Sequence, residues 1–165
     1  DILVNNAGGS PNRMMPASFI DTPQEVWAPY LDMNLGGVIH CSHAVIGGMC
    51  ERGWGRIISI SSDAARVGSW GSSVYGAAKA GSEGLMRTLA KEVGRKGVTA
   101  NSIALGLIDT VPAEFLEGRE AEKSYAVGRI GTVDDVAAGI VYLASNEASW
   151  VTGHTLVVNG GFLGG

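Results

Sequence analysis

Four short apolar stretches alternate with three longer segments of mixed character along the chain. The apolar stretches lie at 2–5, 56–61, 98–105 and 155–159. The first does not alternate polar and apolar residues, which is typical of a strand buried on both faces of a parallel sheet. The order strand, helix, strand, helix, strand, helix, strand predicts parallel strands joined by right-handed crossovers. The pattern therefore predicts an α/β fold in a single domain.

Start signals locate the first helix. Thr22 has the character of an N-cap, Pro23 is suited to the first helical position, and Glu25 is placed to complete a capping box. The helix is expected to run to about Cys50. Pro29 removes one backbone donor, so we expect a kink in the second turn.

Two further helices and one irregular stretch follow. A second helix is predicted over 73–95, and a third begins after an N-cap at Thr132 and ends near Ser145. Between them, 106–129 is the least regular part of the chain and predicts short helices over a site.

Composition narrows the classes of function. The chain has 165 residues, a net charge of −4 and 17% charged residues. No run of Lys or Arg forms a basic stripe, so a nucleic-acid partner is not expected. The apolar stretches are shorter than the ~20 residues that span a bilayer, so we expect no membrane association. We expect a cytoplasmic location.

The cysteines and histidines do not indicate a metal site or a disulfide. Cys41 and Cys50 lie on one predicted helix, too far apart to bridge, and are expected to be buried packing residues. His40, His43 and His154 do not form a ligand cluster, so no metal is expected.

Ser62, Tyr75 and Lys79 together have the chemistry to move a proton. A phenol that acts near neutral pH needs its pKa lowered by about three units, or about 4 kcal/mol. A unit charge at ~4 Å and an effective dielectric of ~20 supplies about that much. Lys79 follows Tyr75 by one helical turn and shares its face. Ser62 ends an apolar strand and is placed to hydrogen-bond a substrate oxygen.

These residues stand in an ordered series that resembles the short-chain dehydrogenase/reductase family. The series is Asn5-Asn6-Ala7-Gly8 after a strand, Asn34 in a helix, Ser62, the Tyr75/Lys79 pair, and Asn159-Gly160-Gly161 after the last strand. The resemblance covers almost the whole chain, which is similar to reductases of 3-oxoacyl thioesters and related alcohol dehydrogenases. It implies a doubly wound, Rossmann-like parallel sheet of which this chain is the C-terminal two thirds, truncated before the fourth strand.

The family resemblance also implies roles for four catalytic residues. Tyr75 corresponds to the general acid or base, and Lys79 to the residue that lowers the phenol pKa and binds the nicotinamide ribose. Ser62 corresponds to the residue that orients the substrate oxygen. Asn34 corresponds to an asparagine that holds a water in the proton relay. Its alternative interpretation is structural, as a residue that satisfies backbone groups at the Pro29 kink.

Contacts with a nicotinamide cofactor, either NAD or NADP, are implied at two segments. The first contains Asn5, Ala7 and Gly8. The second contains Gly106, Ile108 and Thr110, and in it Leu105 replaces the usual proline, which frees one dihedral and restores one N–H. Tyr75 and Lys79 are expected to contact the cofactor as well, and Trp70 is a candidate for lining the substrate pocket.

The sequence contains no glycine-rich turn with the spacing that holds a pyrophosphate. We therefore expect residues 1–165 to be a single incomplete domain whose phosphate-binding half precedes Asp1, with Ile2-Leu3-Val4 left as an exposed edge strand. The predicted function is an oxidoreductase that interconverts a small-molecule secondary alcohol and a ketone, active once that half is present, as a homodimer or homotetramer. The alternative is a non-catalytic module for oligomerisation or interaction.

Overall fold

The sheet has four parallel strands in the order of the sequence. The computed structural model describes residues 1–10, 16–110 and 120–162, so the predicted irregular stretch 106–129 is described only in part. The strands are β1 (Ile2–Asn5), β2 (Gly55–Ser62), β3 (Val98–Leu105) and β4 (Thr155–Val158), and neighbours in this order are paired. The α/β class and all four predicted strands are confirmed, with ends that differ by one residue at most.

The helices are α1 (Trp27–Leu31), a π-helical turn (Asp32–Gly36), α2 (Gly37–Arg52), α3 (Ser73–Val93) and α4 (Val133–Ala144). Short 3-10 turns lie at Phe19–Asp21, Gln24–Val26, Asp63–Ala65, Gly94–Lys96 and Ala121–Ser124. Thr132 caps α4 as predicted, since its side chain accepts from the Asp135 N–H while the Asp135 carboxylate accepts from the Thr132 N–H.

The predicted start of the first helix is wrong. Thr22 does not cap it, because its hydroxyl donates to the Ser18 carbonyl. Pro29 lies in the first turn of α1, where its missing N–H is not required. The π-helical turn follows α1, and after it α2 continues to Arg52 and ends on Gly53 with a φ of 70°.

Helices cover both faces of the sheet, which confirms a doubly wound arrangement. On one face α2 and α3 pack over Ile57, Val98 and Ala100. On the other face α4 packs over Ile58 and Ile103. Consecutive residues of a strand point to opposite faces, so the two clusters share no residue.

The prediction that every crossover is right-handed is wrong. The chain moves across the sheet in one direction from β2 to β3 and from β3 to β4. It does so through α3 on one face and through α4 on the other. Two crossovers in the same direction over opposite faces have opposite hands, so one of them departs from the usual rule.

Two surface features complete the fold. Within the described sheet β1 pairs only with β2, and of the three apolar residues at this edge Ile2 is 51% exposed while Leu3 and Val4 are half-buried. Cys41 is exposed on α2, so its predicted burial is wrong, and Cys50 is half-buried. In the ranges that the structure describes, no helix is both long enough and apolar enough to cross a bilayer.

Candidate active site

Ser62 and Tyr75 meet at the carboxyl end of the sheet. Ser62 is the last residue of β2 and is paired in register with Leu105, the last residue of β3. Tyr75 lies in the first turn of α3, which follows β2 after a short connection. The Tyr75 phenol and the Ser62 hydroxyl are close enough to interact, and both residues line the same two clefts. The strand end and the helix start therefore bring together two hydroxyls that are far apart in sequence.

Two clefts share these hydroxyls. Both are lined by Ser62, Tyr75, Leu105, Gly106 and Leu107. The smaller cleft, of about 360 Å³, continues to Lys79 and to the backbone after β1. The larger cleft, of about 610 Å³, continues to Asp63, Val67, Trp70, Tyr125 and Phe162. Trp70 lines that cleft and is 77% exposed.

The pKa of Tyr75 lies above its ordinary value. Burial of the phenol is the largest cause, the hydrogen bond to Ser62 opposes it, and repulsion from the Tyr30 phenol adds to it. The predicted lowering by Lys79 is not found. The Lys79 ammonium is 5.7 Å from the centroid of the Tyr75 ring and donates to the Ile60 carbonyl at 2.7 Å.

Lys79 is a buried ammonium beside the smaller cleft. Its side chain is buried near the carboxyl end of β2, with only 4% of the residue exposed. Burial lowers the pKa of Lys79 to about 8. An ammonium has three donors, and one of them is directed at Ile60. Lys79 therefore retains a positive charge near neutral pH and the capacity to donate to a bound group.

Asn34 fixes the loop after β1. It lies in the π-helical turn and is fully buried. Its Oδ1 accepts from the Gly9 N–H at 2.8 Å, while its Nδ2 donates to the Gly9 carbonyl at 2.9 Å and the Tyr30 carbonyl at 3.0 Å. Asn34 thus satisfies backbone groups of the loop after β1 and of Tyr30, which follows Pro29 in α1, and its role in a proton relay stays a prediction.

The predicted cofactor residues divide into two sets. Gly8, Gly106, Ile108 and Thr110 line the smaller cleft with Tyr75 and Lys79. Asn5 is buried instead, and its amide donates to the Ser42 hydroxyl at 3.2 Å, so it joins β1 to α2. Ala7 is exposed and is not among the lining residues of this cleft. The structure therefore does not bring Asn5 and Ala7 to the site.

Sequence reasoning missed a carboxylate beside the site. Asp63 follows Ser62 directly, is 8% exposed, and accepts from the Asn159 amide at 3.1 and 2.9 Å. Burial raises the pKa of this carboxyl, and the hydrogen bond from Asn159 opposes the rise. Asn159 was recognisable only as part of a strand-end motif, because its partner is 96 residues away.

Sequence reasoning also missed Tyr125. Its hydroxyl accepts from the Leu107 N–H at 2.8 Å, and the residue is 8% exposed. No local pattern marks a tyrosine in an irregular stretch as a partner of a distant loop. As for metals, 1–10, 16–110 and 120–162 contain no cluster of His, Cys, Asp and Glu that could hold an ion.

A parallel sheet covered on both faces, with a hydroxyl pair and a buried lysine at its carboxyl end, defines a doubly wound α/β protein of the Rossmann-like class. A family model described as enoyl-(acyl carrier protein) reductase matches residues 1–163. The chain belongs to the short-chain dehydrogenase/reductase family.

Similar proteins include named reductases. The chain is 43% identical to the short-chain reductase protein NovJ of Streptomyces niveus, and 42% identical to an acetoacetyl-CoA reductase of Rhizobium meliloti. These alignments cover 98% of this chain and 63% and 67% of the two relatives. A solved structure of a short chain dehydrogenase/reductase family protein matches with a TM-score of 0.87 at 40% identity, over 98% of this chain and 66% of that one. The chain spans about two thirds of the length of these relatives.

Proposed function

We propose that this chain supplies the proton-transfer site of an oxidoreductase that interconverts a ketone and a secondary alcohol with a nicotinamide cofactor. The observation that carries the proposal is the neighbouring Ser62 and Tyr75 hydroxyls at the junction of two clefts, with the Lys79 ammonium buried beside one of them. A reaction between a cofactor and a ketone needs its proton donor where their two clefts meet, because the donor must reach the ketone oxygen while the ketone lies against the cofactor.

The smaller cleft fits a nicotinamide nucleoside. A side chain at Gly8 would put its Cβ 2.8 Å from Asn34 Oδ1 and 2.9 Å from Lys79 Nζ, so only glycine leaves this wall open. The Lys79 ammonium has donors suited to ribose hydroxyls, and the backbone of Gly106 to Ile108 lines the opposite wall. When bound, the cofactor supplies or accepts the hydride.

The two hydroxyls handle the proton. Because burial keeps the pKa of Tyr75 above its ordinary value, the phenol is protonated at neutral pH and is ready to donate to a carbonyl oxygen. Ser62 lies beside the phenol and orients the same substrate oxygen. In the opposite direction Tyr75 must first lose its proton, so alcohol oxidation is expected to accelerate as the pH rises.

The remaining parts of the proposal concern substrate, cofactor and assembly. The names of the relatives support a 3-oxoacyl thioester as substrate. NAD and NADP both remain candidates for the cofactor. We propose that activity depends on a glycine-rich phosphate-binding segment, which this sequence does not contain, and that the protein works in the cytoplasm as a homodimer or homotetramer.

Steady-state kinetics on the native protein that carries this sequence tests the proposal. Acetoacetyl-CoA and a panel of neutral ketones are offered with NADH and with NADPH, and oxidation of the cofactor is followed by absorbance. Turnover with one cofactor supports the enzyme. A protein that assembles, yet neither enhances the fluorescence of reduced cofactor nor turns over any ketone, would instead be the interaction module.

A further inference from the structure

Tyr125 lies between the last strand and the loop that lines the smaller cleft. Two backbone hydrogen bonds anchor its neighbours to the turn after β4, from the Ala126 N–H to the Gly161 carbonyl and from the Val127 N–H to the Gly160 carbonyl. Its ring contacts that of Phe162, with centroids 5.6 Å apart. The Tyr125 backbone and ring are thus held by contacts that do not involve the hydroxyl.

The Tyr125 hydroxyl binds the backbone of Leu107. It accepts from the Leu107 N–H at 2.8 Å, while the Leu107 carbonyl accepts from the Gly131 N–H at 3.0 Å. Both backbone groups of Leu107 are therefore held by the segment from 125 to 131. The ring also lies close to Gly106, where an added Cβ would be 2.9 Å from a ring carbon.

The loop from 106 to 110 needs such support in this chain. Residue 105 is leucine, so no proline ring restricts the backbone where β3 ends. Gly106, just after it, is the most flexible residue type. Within the described residues, this wall of the smaller cleft is held by the hydrogen bonds to Leu107 and by one from the Asp109 N–H to the Gly131 carbonyl at 2.9 Å. The Tyr125 hydroxyl makes the side-chain bond among them.

We propose that Tyr125 is a positioning residue, whose hydroxyl holds the Leu107 backbone so that residues 106–110 keep the shape that receives the nicotinamide part of the cofactor. Tyr125 acts through the loop and not on the reacting atoms. This inference rests on the proposed function.

The test is the substitution Tyr125→Phe in the native protein, with Tyr142→Phe as the matched control. Tyr125→Phe keeps the ring against Phe162 and removes only the acceptor. Tyr142 is 43% exposed on α4, so its substitution removes a hydroxyl without touching the loop. The expected result is a rise in KM for the reduced cofactor of about three- to tenfold, the range for one lost neutral hydrogen bond, with kcat within about twofold.

Amide hydrogen exchange at Leu107 gives a second readout that does not depend on activity. Exchange is expected to accelerate in Tyr125→Phe and to stay unchanged in Tyr142→Phe. Unchanged exchange at Leu107 together with an unchanged cofactor KM would overturn the inference. A fall in kcat together with a rise in both KM values and a lowered Tm would also overturn the inference, because such a result would show a merely structural role for Tyr125. If the unsubstituted protein turns over no ketone, the proposed function fails, while the exchange measurement still tests the contact.

Discussion

Burial of the Lys79 ammonium should make the stability of the protein depend on pH in a particular direction. The pKa of Lys79 is 10.5 when exposed and about 8 in the folded chain, with burial as the cause. At about 1.4 kcal/mol per pH unit, the folded state disfavours the charged form by about 3 kcal/mol near neutral pH. Between about pH 8 and 10.5 the unfolded chain binds more protons than the folded one, so stability rises with pH.

The substitution Lys79→Met tests this magnitude. It keeps a chain of similar length and removes the titrating group. From about pH 7 to about pH 9.5, the unsubstituted protein should gain about 2 kcal/mol in free energy of unfolding relative to Lys79→Met. The measurement is urea unfolding at the two pH values, followed by tryptophan fluorescence.

The matched control is Lys91→Met, on the same helix but exposed. Its stability should follow the unsubstituted protein at both pH values, since folding does not remove an exposed ammonium from water. If Lys79→Met also follows the unsubstituted protein, the ammonium is not desolvated in the folded chain and the reasoning about the site is refuted.

Two further predictions concern Tyr30 and Ser61. Tyr30→Phe removes a group that raises the pKa of Tyr75, so the pH at which alcohol oxidation accelerates should fall; a rise or no change in the pH–rate profile would count against it. Ser61→Ala removes a buried donor that bonds the Glu83 carboxylate at 2.6 Å, so urea unfolding should show a loss of about 2 kcal/mol, while Ser69→Ala at an exposed position should change little.

Strands and strand-end motifs were predictable because their signals are local. Short stretches rich in apolar residues marked the four strands, and the serines at the end of β2 marked Ser62 at the site. Thr132 and Asp135 gave a capping box that the structure contains. In each case a few adjacent residues determine both the local backbone and the exposure of the side chains.

The irregular part of the first helix was not predictable in the same way. The cap signal at Thr22 failed because its hydroxyl bonds the Ser18 carbonyl instead. Asn34 binds the Gly9 backbone from the π-helical turn. A bond between residues 25 apart leaves no periodic trace in the sequence. The hand of the last crossover was missed for a related reason, since it depends on which face α4 covers.

The electrostatics of the site could not be read from residue spacing. The i, i+4 relation of Tyr75 and Lys79 predicted a lowered phenol pKa, yet burial raises it and the ammonium binds the Ile60 carbonyl. Desolvation depends on everything packed around a group and has no sequence signature. Tyr125 and the Asp63/Asn159 pair were missed because their partners come from other strands and loops.

The most direct test of the central claim is the turnover of Tyr75→Phe in the native protein, measured beside its affinity for reduced cofactor. The account predicts that ketone reduction falls by about a hundredfold or more, because the proton donor is lost, while the Kd for the cofactor stays within about twofold. Turnover equal to that of the unsubstituted protein would contradict the assignment of Tyr75 as the proton donor.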